Sequence, residues 1–139
     1  ALLSPALEIR EGSVDEIKQQ FIQILDEHVY PNLSEFEKPV LIGLSYASSE
    51  RATLGLQITQ PQIVNPEDAN NDNVSMELQA KIYNSAVLSA ASREWIIGFI
   101  SRGFFPYAEL QDGSSSIYRK PASEILWFWF HYLLNKTPT

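Results

Sequence analysis

Apolar side chains recur at helical spacing from Ser13 to about Tyr30, where Val14, Ile17, Phe21, Ile24, Leu25 and His28 fall on one stripe. Ser13 with Glu16 three residues on is the reciprocal capping-box pattern, Asp15 suits the positive end of the helix dipole, and Pro31 is expected to end the helix. After Lys38-Pro39 the pattern changes. Val40-Leu41-Ile42-Gly43-Leu44-Ser45-Tyr46 is apolar without alternation, which predicts a strand over 39–46 covered on both faces. Ala47 to Asp72 is irregular, with Pro61, Pro66 and a polar run from Glu67 to Asp72; within it Thr53 to Thr59 has the composition of a short extra strand. A second helix over 74–92 places Leu78, Ile82, Tyr83, Ala86 and Ala90 on one face, and a second covered strand follows over 95–101. A loop from Arg102 to Lys120 then leads to a helix over 121–135, whose first turn accepts Pro121 because its missing N–H would be unpaired there. That last helix, with Trp127-Phe128-Trp129-Phe130, is apolar nearly all round and needs cover on several sides.

Helices alternating with covered strands predict an α/β fold with a parallel sheet. Two parallel strands are too few, because each edge would expose unpaired backbone groups. Upstream sequence or a partner chain, either another segment or a second copy of this one, is therefore expected. The 139 residues allow one domain, and 45% apolar against 19% charged residues supply a core and exclude the disordered class. Ten basic against 17 acidic residues leave a formal charge of -7, which repels phosphate backbones and disfavours nucleic acid as a partner. There is no cysteine, so disulfides, thiolate catalysis and cysteine-bound metals are excluded while the compartment stays open. The longest apolar run, Ile125 to Leu134, is short of the roughly 20 residues of a membrane-spanning helix. A start at Ala1, with no basic region before Leu2-Leu3-Ser4-Pro5, reads as a processed or excised segment instead of a signal peptide.

Lys38 to Tyr46, the helix whose Glu77-Leu78-Gln79-Ala80-Lys81-Ile82-Tyr83-Asn84 leads to Trp95, and Ile97-Gly98-Phe99 followed by Phe104-Phe105-Pro106 together resemble the last units of a (β/α)8 barrel. More specifically they are similar to the C-terminal end of glycoside hydrolases of the large retaining clan, near the mannanase-like bacterial families. The resemblance implies a sixth helix at Ser13, seventh and eighth strands at Val40 and Ile96, and a closing helix after Lys120-Pro121. The fold class is then the C-terminal segment of a TIM barrel, a fold of about 250 residues whose sites lie at the C-terminal ends of the strands. It also implies a nucleophilic glutamate at the end of the seventh strand. Ile42-Gly43-Leu44-Ser45-Tyr46 holds no carboxylate, and Glu50, the first acid downstream, lies on a loop. A retaining pair must stand about 5 Å apart, so either the nucleophile lies elsewhere or the protein is a non-catalytic relative.

The candidate substrate-binding residues are Ser45 and Tyr46 at the end of one strand, and Arg102, Phe104, Phe105 and Tyr107 after the other. A guanidinium holds hydroxyls or carboxylates in pairs, and flat aromatic rings match the C–H faces of sugar rings. The competing reading gives Arg102 a structural ion pair and makes the aromatics loop anchors. Trp95, at the opposite end of its strand, is expected to be structural. No Gly-x-Ser-x-Gly elbow activates Ser45 or Ser48. His28 and His131 sit within helices at packed positions and form no His-x-x-x-His pair, and the acidic run 67–72 lacks the spacing of a calcium loop, so no metal or cofactor is expected. The implied ligand is an oligo- or polysaccharide, hydrolysed or merely bound. The alternative from another class is a small α/β interaction protein that completes its sheet by self-association.

Overall fold

Ser13 caps α1 (Val14–Ile24) in the computed structural model of the chain, which describes residues 2–3, 8–33, 35, 37–55, 63–65, 67, 73–101, 103–104 and 111–136. The Ser13 hydroxyl accepts the Glu16 N–H at 3.2 Å, and the Ser13 N–H donates to Glu16 Oε2 at 2.7 Å. These bonds, the one from the backbone first, hold the Glu16 carboxyl below its ordinary range. Ile17 and Phe21 are buried beneath α1. The helix does not stop at Pro31. It widens into a π turn, Leu25–Val29, and closes as α2 (Tyr30–Leu33). A proline in a regular helix presses its ring on the carbonyl four residues back, and the wider turn relieves that crowding. The same turn rephases the stripe, so that Val29 packs on the core while His28 is exposed, against the expectation that His28 faces inward.

Among the described residues the sheet has three parallel strands in the order β1 (Leu2–Leu3), β2 (Val40–Leu44) and β3 (Ile96–Ser101). The two anticipated strands thus gain a third, which two residues carry with no periodicity to reveal it; Leu2 pairs with Leu41 and Leu3 with Ile42. A register shift between Val40 and Leu41 sets Leu41 opposite Gly98, Ile42 opposite Phe99 and Leu44 opposite Ser101. Side chains alternate faces along a strand. Val40, Ile42 and Leu44 are buried in one core with Phe99 and Ile96 packed on it, whereas Ile100, opposite Gly43, is exposed. Thr53 and Leu54 form no strand. They belong to a 3-10 turn, Ala52–Leu54, closed by Gly55 at φ 75°; residues 56–59 lie outside the described part.

α3 (Met76–Ala91) packs between α1 and α4 (Pro121–Lys136) and buries Leu78, Ile82, Tyr83, Ala86, Val87 and Ala90. The Tyr83 hydroxyl donates to the Leu44 carbonyl at 3.2 Å, pinning α3 to the end of β2, and burial raises its pKa. Trp129 Nε1–H donates to Asn84 Oδ1 at 2.9 Å, tying α4 to α3. Arg93, just after α3, forms a fork on Asp26 at 2.7 and 2.6 Å. α4 buries Ala122 and Leu126, yet Trp127, Phe128, Phe130, Tyr132 and Leu134 are exposed, so the cover expected on several sides is supplied on one. His131 is exposed too, its ring tilted 36° against Trp127 at 4.1 Å with its Nδ1 2.8 Å from the Trp127 carbonyl. No helix among the described residues is long and apolar enough to cross a membrane.

Tyr83→Phe removes the bond to Leu44 and is expected to cost about 1 kcal/mol in urea unfolding; unchanged stability would show that the hydroxyl contributes nothing. Asp26 is held below the ordinary aspartate value, first by the hydrogen bond from Arg93. Its stabilisation is complete above the unfolded carboxyl's value and is lost as pH falls through the lowered folded value. Unfolding curves of Asp26→Asn and the parent chain are therefore expected to differ at neutral pH and to converge in strong acid.

Candidate functional site

The C-terminal ends of β2 and β3 are joined by a buried polar knot. Lys120, 3% exposed, directs its ammonium to Asp112 Oδ2 at 3.0 Å, Ser48 Oγ at 2.9 Å and the Ser114 carbonyl at 3.1 Å. Three N–H donors thus meet three oxygens. Asp112 also accepts the Ser114 N–H at 3.1 Å and the Ser114 hydroxyl at 2.7 Å. Ser48 donates to the Asp112 carbonyl at 2.7 Å, and its N–H donates to the Ser114 carbonyl at 3.0 Å. Burial pushes the Lys120 amine down from its ordinary value, while the hydrogen bond and charge of Asp112 act against that. The knot reaches α3 as well, because the Ser48 carbonyl accepts the Ser75 N–H at 2.9 Å. Gln79, fully buried on α3, donates from Nε2 to the Tyr46 carbonyl at 2.8 Å.

Ser45 and Tyr46 stand at the end of β2 but on opposite faces. Continuing the alternation from Val40, Ile42 and Leu44, Tyr46 points into the core, is fully buried and meets Phe21 edge-on with ring centres 6.3 Å apart. It is a core residue within this chain, not one presented at the mouth. Ser45 takes the face of Leu41 and Gly43 and is 3% exposed. Phe104 is open, at 64% exposure, with its ring edge-on against Tyr118 at 4.8 Å. It lines a groove of about 760 Å³ with Tyr118, Arg119, Trp127 and Phe128. Arg119 holds a left-handed backbone, φ 53°, with its guanidinium 5.5 Å from the Tyr118 ring centre. Arg102, Phe105 and Tyr107 lie outside the described residues. Trp95 lies at the other end of the sheet, where its carbonyl accepts the Val40 N–H at 3.1 Å and its ring packs on Tyr30 at 5.4 Å.

The site residues that pattern reading passed over are Asp112, Lys120, Tyr118 and Arg119. Asp112-Gly113-Ser114 has the composition of a side-chain-stabilised turn, and a lysine directly before a helix-initiating proline was visible; the 72-residue separation of Ser48 and Lys120 was not. An amine against a serine hydroxyl is the arrangement of Ser–Lys hydrolases. Ser48 is fully buried, however, and the Lys120 amine is held in an ion pair with Asp112. Glu50 is exposed, accepts Asn73 Nδ2–H at 3.0 Å, and lies in a cleft with Glu11, Ser75, Glu77 and Lys81, beside the start of α3. Among the described residues no group of His, Asp or Glu side chains converges to hold a metal ion.

This geometry has counterparts among solved structures. Two structures of a GH113 β-1,4-mannanase, one a complex, superpose on 94% of the chain with TM-scores of 0.62 and 0.60 at 15% identity. The GH113 β-mannanase AaManA from Alicyclobacillus acidocaldarius, in complex with ManMIm, does so at TM-score 0.55 and 20% identity. The chain spans 38% of the length of each. Its α/β fold is thus that of a partial segment of a TIM-barrel glycoside hydrolase. No protein-family model and no curated protein matches the sequence.

Lys120→Met leaves the buried Asp112 carboxylate without its ammonium and is expected to destabilise the fold by about 3–5 kcal/mol, measured by chemical unfolding. A loss below about 1 kcal/mol would mean that the ion pair carries little of the structure.

Proposed function

We propose that the chain is the C-terminal portion of a carbohydrate-acting barrel whose saccharide-binding mouth lies at the C-terminal ends of β2 and β3. The observation that carries this reading is Phe104, an exposed ring one residue beyond a tightly packed glycine at the end of β3, on a segment built like part of a mannanase barrel. An exposed ring held edge-on by Tyr118 offers an apolar face to the C–H groups of a sugar. Arg102, Phe105 and Tyr107, from the same loop, and Ser45, on the face of β2 opposite Tyr46, complete the proposed contacts; Tyr46 supports them from the core. The saccharide class proposed from the neighbours is a β-1,4-linked mannan.

Binding without turnover is the version that the strand end favours. The face of β2 that carries Leu41 continues through Gly43 and Ser45, with no carboxylate to act as nucleophile. Glu50 is engaged by Asn73 beside α3, away from that line. Hydrolysis by this protein would require a carboxylate pair supplied by other parts of the barrel.

Titration of the full chain with a β-1,4-linked manno-oligosaccharide, followed by calorimetry and an assay for new reducing ends, tests both versions. Binding weakened about five- to tenfold by Phe104→Ala supports the site. New reducing ends produced by this chain alone would overturn the need for carboxylates from other parts of the barrel, and absence of binding to any mannan would overturn the saccharide reading.

A further inference from the structure

Phe104 owes its place to residues on the far side of the loop. Gly103, which precedes it, has φ 110° and lies so close to the segment 114–116 that a Cβ there would stand 3.1 Å from the Ser115 carbonyl oxygen. The Gly103 carbonyl accepts the Ile117 N–H at 3.2 Å. The ring of Phe104 rests on Tyr118, whose own N–H donates to Ser116 Oγ at 3.3 Å. The Ser116 N–H in turn donates to Ser114 Oγ at 3.2 Å, and Ser114 is bound by Asp112 through both its N–H and its hydroxyl. Backbone support and ring support for Phe104 therefore both come from residues 114–118. That segment closes on Lys120, whose ammonium bridges it to Ser48 of the loop after β2.

We propose that Lys120 is a positioning residue for the saccharide-contacting loop. Its ammonium, shared among Asp112, Ser48 and Ser114, locks the loops that follow β2 and β3 onto each other and so sets where the Phe104 ring stands. The relay runs through hydrogen bonds, one glycine contact and the ring contact of Phe104 with Tyr118, and the hydrogen bonds are too short to survive a shift of the segment by about an ångström. Lys120 and Asp112 are nearly inaccessible to solvent, so they act on the ligand through Phe104 and not by touching it. The link to saccharide binding rests on the function proposed above; the positioning of the loop does not.

The test is amide hydrogen exchange on the full chain, with titration of a β-1,4-linked manno-oligosaccharide, in Lys120→Met and in the double variant Lys120→Met/Asp112→Asn. The double variant leaves no buried charge and is expected to regain most of the thermal stability lost in the single one. In it the amides of Ser48, Ser114, Ser116 and Tyr118 should still exchange on the order of tenfold faster than in the parent, with those of Ile82 and Val87 in α3 unchanged. Oligosaccharide affinity should fall by a similar factor. Parental exchange at the four loop amides, or one common acceleration of all amides, would overturn the proposal by making Lys120 dispensable or merely stabilising. If the double variant does not fold, Ser48→Ala, which removes one oxygen from the ammonium and keeps the ion pair, must accelerate the remaining loop amides selectively; a uniform change overturns the proposal. A parent chain that binds no oligosaccharide while the selective exchange pattern persists refutes the saccharide reading and leaves Lys120 as the residue that positions the loop.

Discussion

A buried ammonium must have every donor met. The charge of Lys120 has been taken out of water, at a cost of several kcal/mol that only close oxygens can offset. Asp112, Ser48 and the Ser114 carbonyl provide those oxygens from two loops separated in sequence by the whole of α3 and β3. Because Ser48 also accepts the amide that begins α3, and Lys120 immediately precedes α4, the starts of both long helices are referenced to one point. The ends of β2 and β3 are thereby fixed relative to each other beyond the last strand hydrogen bonds. An apolar contact at the same place would have been non-directional and would have left the serine-rich carbonyls and hydroxyls there unpaired.

The apolar face of the sheet explains the different fates of the candidate residues. Val40, Ile42, Leu44 and Tyr46 follow one another on the side covered by α1 and α3, so an aromatic at the strand end becomes part of the core. The opposite side carries Leu41, Gly43 and Ser45, and on β3 the exposed Ile100. Of the exposed aromatic rings of α4, Trp127 and Phe128 border the groove that Phe104 enters.

Much of the architecture was legible from periodicity and from a few local signals. The Ser13/Glu16 pair predicts a cap that forms with both reciprocal bonds, and the unbroken apolar runs at Val40 and Ile96 predict neighbouring parallel strands. His28 was misplaced because a period of 3.6 was carried through a turn that the crowding at Pro31 widens. β1 escaped notice because a two-residue strand exists only through its partner. Of the candidate site, Phe104 could be named from its position after a strand and a glycine. Its neighbours Tyr118 and Arg119 could not, since nothing in a loop's composition states where it folds back.

By itself the sequence determined the alternation of helices with strands, the absence of cysteine chemistry, the acidic net charge and the lack of a carboxylate at the end of β2, though not the cover of β3, where Ile97 and Ile100 are exposed. Each of these is local, set by spacing or by residue type. Which face Tyr46 takes, that Lys120 meets Ser48 and Asp112, and that residues 114–118 carry Phe104 were decided only by tertiary structure. Those facts depend on loop closure over tens of residues, where a hydrogen bond forms because packing elsewhere has already brought its two ends together.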